Sequence, residues 1–363
     1  MNKYSFIDKI KDIEDLDSLK MKDAKDYLDN LAKPIGSLGK LEEIAIKFSG
    51  ITSNIHNEVR ACLNVYASDN GVVKENVSST PQSVTFKQAI NIKKGKSGAG
   101  CLASYYHYDI NVYDLGIIGN TKSYGIIDKK IRESTDDIYL GPAMNKDECL
   151  QAIQNGFDSI EELKDKYNVF GIGEMGIGNT TTSSAILHVL SGLKVEDVTG
   201  KGAGLTEEAY LHKIEVIKEA VRVNKVNKDD VYDVLHKLGG FDICAMVGAY
   251  LACAYYKKMA VIDGFISALA AYVAYKINNK VALYLIASHK SFEIGFEHIM
   301  QEMNMHAYLD LNMRLGEGSG CPLCFELIKA SCAIMNNMST FKEANINNDY
   351  IEELKQGDKF TVK

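Results

Sequence analysis

Val169-Phe170-Gly171-Ile172-Gly173-Glu174-Met175-Gly176-Ile177-Gly178-Asn179-Thr180-Thr181-Thr182 is the stretch that decides the fold. Asn168–Ile172 is a short apolar run rich in β-formers and reads as a buried strand. A glycine-dense turn follows it, and the pattern at Thr181–Leu193 reads as a helix. The same alternation recurs on either side. Leu63–Ala67, Ile110–Leu115, Ala260–Ile262 and Leu283–Ile286 read as strands, and Cys149–Lys166, Glu207–Val221 and Phe265–Ile277 as helices. Strand alternating with helix implies α/β architecture: a mostly parallel Rossmann-like sheet with helices on both faces. In such sheets ligands bind beyond the carboxyl ends of the strands. Several of these strands run into Asp, Ser, His or Gly, including Ser68-Asp69-Asn70-Gly71, Asp263-Gly264 and Ser288-His289.

Bulk properties narrow the class. The chain has 363 residues, 46% hydrophobic and 25% charged, which suits a globular fold with a large core. Its net charge of −7 lacks the basic footprint of nucleic-acid binding. The longest uncharged apolar stretches, Ile243–Tyr256 and Gly264–Tyr275, fall short of the roughly 20 residues that span a bilayer. No secretion signal opens the sequence. Its eight cysteines read as reduced thiols of a cytoplasmic protein. Cys321 and Cys324 form a close pair without the further ligands of a zinc site, and read as buried small residues. We expect residues 1–60 to supply the helical N-terminal part of a small domain and 61–300 to form the large α/β domain. Residues 301–363 then complete the small domain. Its tail, 345–363, is polar and peripheral.

Three glycine-rich clusters carry the chemistry. Gly171–Thr182 offers backbone N–H groups and a helix N-terminus to an anion. Its first glycines also satisfy a dinucleotide-binding pattern, with Glu196 and Asp197 about 20 residues on. That rival acidic pair sits in a polar connection rather than at a strand end. Thr199-Gly200-Lys201-Gly202-Ala203-Gly204 is a second candidate cradle, with Lys201 and Lys213 as charges. Gly95-Lys96-Ser97 fails as a phosphate loop, because the motif's first glycine would fall on Ile90. In Arg314-Leu315-Gly316-Glu317-Gly318-Ser319-Gly320 a carboxylate stands between glycines, open to a ligand and beside apolar residues. Glu317 is either a general base or a solvated turn residue. His289 is either a base or a packed residue beside a helix-capping serine, with no partner at triad spacing. Three functions stay open on these residues: a transferase, a nicotinamide-dependent oxidoreductase and a non-catalytic nucleotide-binding module.

Read jointly, the strings are more specific. They are Lys33-Pro34-x-Gly36-Ser37-Leu38-Gly39-x-Leu41-Glu42, Gly173–Thr181, Gly200-Lys201-Gly202-x-Gly204, Gly239-Gly240-Phe241-Asp242, Asp263-Gly264-Phe265 and Asp310-Leu311-x-Met313–Gly320. Over about residues 30–340 the chain resembles the nicotinate-nucleotide–dimethylbenzimidazole phosphoribosyltransferases. The resemblance implies transfer of phosphoribose from nicotinate mononucleotide to 5,6-dimethylbenzimidazole, in assembly of the lower ligand of cobalamin. It implies Glu317 as the base that deprotonates the azole, no cofactor and no metal. Ser79 or Thr80, Gln88 and Leu315 would meet the base. Gly176, Gly178, Asn179, Thr180, Gly202, Gly204 and Lys213 would meet phosphate and ribose, and Glu174, Asp263 and Ser291 would line the cleft. It also implies a homodimer and a small helical domain built from both ends of the chain. One departure is local: Asp69-Asn70-Gly71-Val72 stands where the family often has His in second place, so Asn70 keeps hydrogen bonding but carries no titrating group.

Overall fold

The computed structural model describes residues 3–202 and 204–348; Asp349–Lys363, most of the tail read above as peripheral, lie outside the described residues. Within these, the chain divides into two compact units, 3–14 with 61–202 and 204–324, and 15–60 with 325–348. The sequence-based division instead assigned 1–60 and 301–363 to the small domain.

The larger unit holds a seven-stranded sheet: β1 Ala61–Ser68, β2 Asp109–Gly116, β3 Ile127–Asp128, β4 Val169–Met175, β5 Met259–Ile262, β6 Leu285–His289 and β7 Ala307–Leu309. Every pairing is parallel, in the order β3-β2-β1-β4-β5-β6-β7. β1 and β4 are buried along their whole length, as expected of strands covered on both faces. Across the register pair, Asn111 Nδ2 donates to Asn64 Oδ1 at 2.9 Å, while the buried Asn64 Nδ2 has no hydrogen-bond partner. The order reverses between β1 and β4. In a parallel sheet such a reversal leaves a crevice at the strand ends.

The helices follow their local signals. Lys146–Glu161 starts at a reciprocal Asn145/Glu148 capping box. Asn179–Ser191 opens directly from the glycine turn and stops at Gly192. Phe241–Tyr255, which contains the alanine-rich Ala245–Cys253, is buried through Ala254 and belongs to the core. Strand boundaries shift by more than a residue where β1 starts at Ala61, where β4 runs on to Met175, and where β6 starts later and ends at His289. Leu283 and Tyr284 end a 3-10 helix, Asn279–Tyr284, and the strand begins at Leu285; Asn278 caps that turn through its side chain, which outweighs the β-propensity of the two residues. β3 and β7 are two and three residues long.

The second unit is helical. Ser18–Asp29, Lys40–Thr52 and the part of Cys321–Asn337 beyond Cys324 bury a core of Ala24, Leu28, Leu31, Ala45 and Met335. The Lys33–Glu42 string forms a buried ion pair, Lys33 Nζ to Glu42 Oε1 at 2.9 Å. Glu42 also accepts the Leu38 N–H at 2.9 Å. In this unit, the motif shapes a turn and its helix entry.

Candidate active site

At the strand ends of the larger unit lies a cavity of about 290 Å³, at the small end of the range for ligand pockets. β4 delivers Glu174 and Met175 to it, and the turn beyond brings Gly176, Gly178, Asn179 and Thr180. The N-terminus of helix Asn179–Ser191 therefore faces the cavity, as an anion site requires. Gly202, Asp263, Ser291, Leu315 and Glu317 line it too. So do Thr80 and Gln88; Ser78 rather than Ser79 is the neighbouring lining residue. Gly204 lines an adjoining cavity of about 470 Å³. Lys213 stands just behind the wall. Its Nζ donates to Thr180 Oγ1 at 3.0 Å and to the Gly200 carbonyl at 3.3 Å, and burial pushes its pKa down to about 8.

Glu317 sits in an unusual backbone. Gly316, Glu317 and Gly318 all have positive φ, 84°, 63° and 81°. Glycine takes this region freely and glutamate does not. The surroundings hold it there. The Gly318 and Gly320 N–H groups donate to the two oxygens of Asp263 at 3.0 and 2.7 Å. The Glu317 N–H points at Glu174 Oε1, 3.4 Å away. Beneath, the loop backbone rides on β4: a Cβ on Gly173 would lie 2.7 Å from the Glu317 carbonyl oxygen and from Gly318 N.

Glu317 as a whole is 4% exposed. Gln88 Nε2 donates to Oε1 at 2.5 Å and the Ala99 N–H to Oε2 at 3.2 Å. Each oxygen keeps a further lone pair. Leu315, 57% exposed, rests a methyl over Gly98, beside Glu317 Oε2. Val84, one helical turn before Gln88, adds an apolar wall.

Behind Glu317 lies a buried acidic network. Asn179 Nδ2 donates both to Glu174 Oε2 at 2.5 Å and to Asp242 Oδ2 at 3.0 Å. Burial pushes the Glu174 carboxyl up to about 8. The Asn179 amide and Glu317 N–H oppose the rise, and the charges of Asp242 and Asp263 add to it. Burial likewise lifts Asp242 to about 6 and raises Asp263. Asn70 is buried against the same network, with Nδ2 3.4 Å from the Ser68 carbonyl and Oδ1 without a hydrogen-bond partner. His289 lines the cavity, 3.0 Å from the Ser288 hydroxyl and 3.9 Å from Asp263. Sequence reasoning gave no role to Asp242, Glu293 or Arg314. Asp242 and Arg314 stand inside quoted strings, but only the folded chain shows what they face.

The dinucleotide pattern fails on geometry. Gly171 and Gly173 lie inside β4 rather than in the turn after it, so their N–H groups serve the sheet. Glu196 sits in the short helix Val195–Val198 and pairs with Lys218 at 2.9 Å. Cys321 and Cys324 are buried free thiols. Among the described residues no group of three or more His, Cys, Asp or Glu is arranged to hold a metal.

Residues 13–346 match a family model described as phosphoribosyltransferase. A nicotinate-nucleotide–dimethylbenzimidazole phosphoribosyltransferase of Clostridium perfringens is 45% identical, over 97% of this chain and 98% of its own length. One from Clostridium acetobutylicum is 45% identical over 93% and 96%. The crystal structure of the enzyme of that name from Thermus thermophilus superposes with a TM-score of 0.86 at 30% identity. That match covers 92% of this chain and all of that one.

Proposed function

The chain belongs to the nicotinate-nucleotide–dimethylbenzimidazole phosphoribosyltransferase family, and from that membership we propose how its cleft carries out the transfer. The enzyme converts nicotinate mononucleotide and 5,6-dimethylbenzimidazole into α-ribazole 5′-phosphate and nicotinate, for the lower ligand of cobalamin. In our reading the 5′-phosphate lies at the N-terminus of helix Asn179–Ser191. Gly176, Gly178, Asn179, Thr180, Gly202 and Gly204 surround it and Lys213 supplies charge. The benzimidazole lies between Val84 and Leu315, near Thr80 and Gln88.

One azole nitrogen attacks C1 of the ribose from the face opposite nicotinate. The new C–N bond forms as the old one breaks, which inverts the anomeric centre. Nicotinate departs with the bonding pair as a neutral ring nitrogen, so the leaving group needs no proton. The other azole nitrogen gives its proton to Glu317. A single observation carries this assignment: a nearly dry carboxylate, fixed through both oxygens by Gln88 and Ala99, with lone pairs still open on the wall of the cavity. Burial favours the protonated form of Glu174, which limits its repulsion of Glu317 while it supports the loop. Asp263 and Ser291 shape the cleft.

The test is incubation with both substrates followed by chromatography. α-Ribazole phosphate and nicotinate should appear in equal amounts, and their absence under turnover conditions overturns the reading. We also propose a homodimer, read by light scattering as twice the chain mass. We assign the work to the cytoplasm, which suits eight free cysteines.

A further inference from the structure

Glu293 belongs to neither the base nor the nucleotide contacts assigned above, yet it lines both the main cavity and the adjoining one. Its Oε2 presses on Gly200 so closely that a Cβ there would overlap it. From the same Gly200, the carbonyl accepts Lys213 Nζ. Glu293 is the carboxylate whose charge offsets the burial of Lys213, and Lys213 and Arg314 both act on it in return. Arg314 lines both cavities as well, its guanidinium 5.8 Å from the Phe292 ring centroid.

An acidic group has thus settled among the groups that would receive a phosphate. It is not tied down. Its backbone N–H lies 3.4 Å from the Ser291 hydroxyl, but no hydrogen bond or ion pair holds its carboxylate among the described residues. It rides between Phe292 and Ile294, which are 65% and 56% exposed. A side chain so placed balances the cations while the cleft is empty, and repels a phosphate dianion arriving beside it.

Resting on the transferase reading, we propose that Glu293 is a specificity-determining residue: its carboxylate stands in for the substrate phosphate in the empty cleft, must swing aside when the nucleotide binds, and so sets the KM for nicotinate mononucleotide. The rival role is that of acceptor for the ribose hydroxyls, which would make Glu293 a binding group. The two roles predict opposite signs.

The experiment compares the full chain with Glu293→Gln and Glu293→Asp. The KM for each substrate is measured by chromatography, and inorganic phosphate binding by calorimetry. Glu293→Gln should lower the KM for nicotinate mononucleotide and the Kd for phosphate by about tenfold, the scale of one like charge a few ångströms away. The KM for dimethylbenzimidazole should not move. Glu293→Asp, with charge kept on a shorter arm, should fall between. An unchanged or raised KM and phosphate Kd in Glu293→Gln overturns the proposal. Phosphate binding is read without turnover. An inactive wild-type chain would therefore strike down the transferase reading, while calorimetry still decides the role of Glu293.

Discussion

Replacing Asp263 by Asn tests whether the Glu317 loop is held in place from β5. Asp263 accepts two backbone N–H groups, from Gly318 at 3.0 Å and Gly320 at 2.7 Å. Asparagine keeps the shape but offers one oxygen; its amide nitrogen then faces an N–H, donor against donor. A hydrogen bond to a charged group contributes ~1.5–3 kcal/mol. One such bond is lost, and with it a restraint on the loop that carries the proposed base, Glu317. At about 1.4 kcal/mol per tenfold in rate, kcat should fall roughly 10- to 100-fold. Part of the loss will appear as lower thermal stability, so circular dichroism must first show Asp263→Asn folded at the assay temperature. The decisive measurement is a double-mutant cycle in the chromatographic assay. If Asp263 acts by positioning Glu317, Asp263→Asn costs little once Glu317 is already Gln. Rate losses that simply multiply in the double variant would refute the reasoning and give Asp263 a separate role.

Glu317→Gln alone should lower kcat by at least ~10²-fold, the usual scale for a removed base, with an unchanged far-UV spectrum; activity within a few-fold of wild type would eliminate Glu317 as the base. The Glu174 carboxyl is held near 8 in the folded chain against 4.5 as its ordinary value. The native state therefore binds the extra proton, and stability falls as pH rises from about 4.5 through about 8. Glu174→Gln should flatten that decline in a Tm-against-pH series; an identical slope would mean Glu174 does not carry the proton. Gly173→Ala places a methyl carbon 2.7 Å from the Glu317 carbonyl oxygen, and should lower kcat by about tenfold or more through loop displacement. Wild-type kcat would show that the loop tolerates a shift.

The sheet was legible because parallel strands covered on both faces are written as continuous apolar runs, and β1, β4 and β5 each follow one. β3 and β7 escaped because two or three half-exposed residues carry no periodicity. Leu283 and Tyr284 look like strand but are claimed by the Asn278 turn. Glycine strings pointed to the cleft for a sound reason, since close backbone approach needs the missing Cβ at Gly173. The same strings also matched a rival dinucleotide fingerprint, because glycines within a strand and glycines of a turn are written alike. Asp242 and Glu293 were invisible for another reason. Each matters through a neighbour far away in sequence, Asn179 in one case and Gly200 in the other.

The left-handed backbone at residue 317 bears on how such an enzyme can decay. A glutamate at φ 63° occupies a conformation that suits glycine or asparagine better. Substitution by either removes the carboxylate proposed as the base and eases the local backbone at once. Against that relief stand the Gln88 amide and the Ala99 N–H, which lose their acceptor. The two effects pull in opposite directions, so folding alone guards Glu317 less firmly than the reaction would.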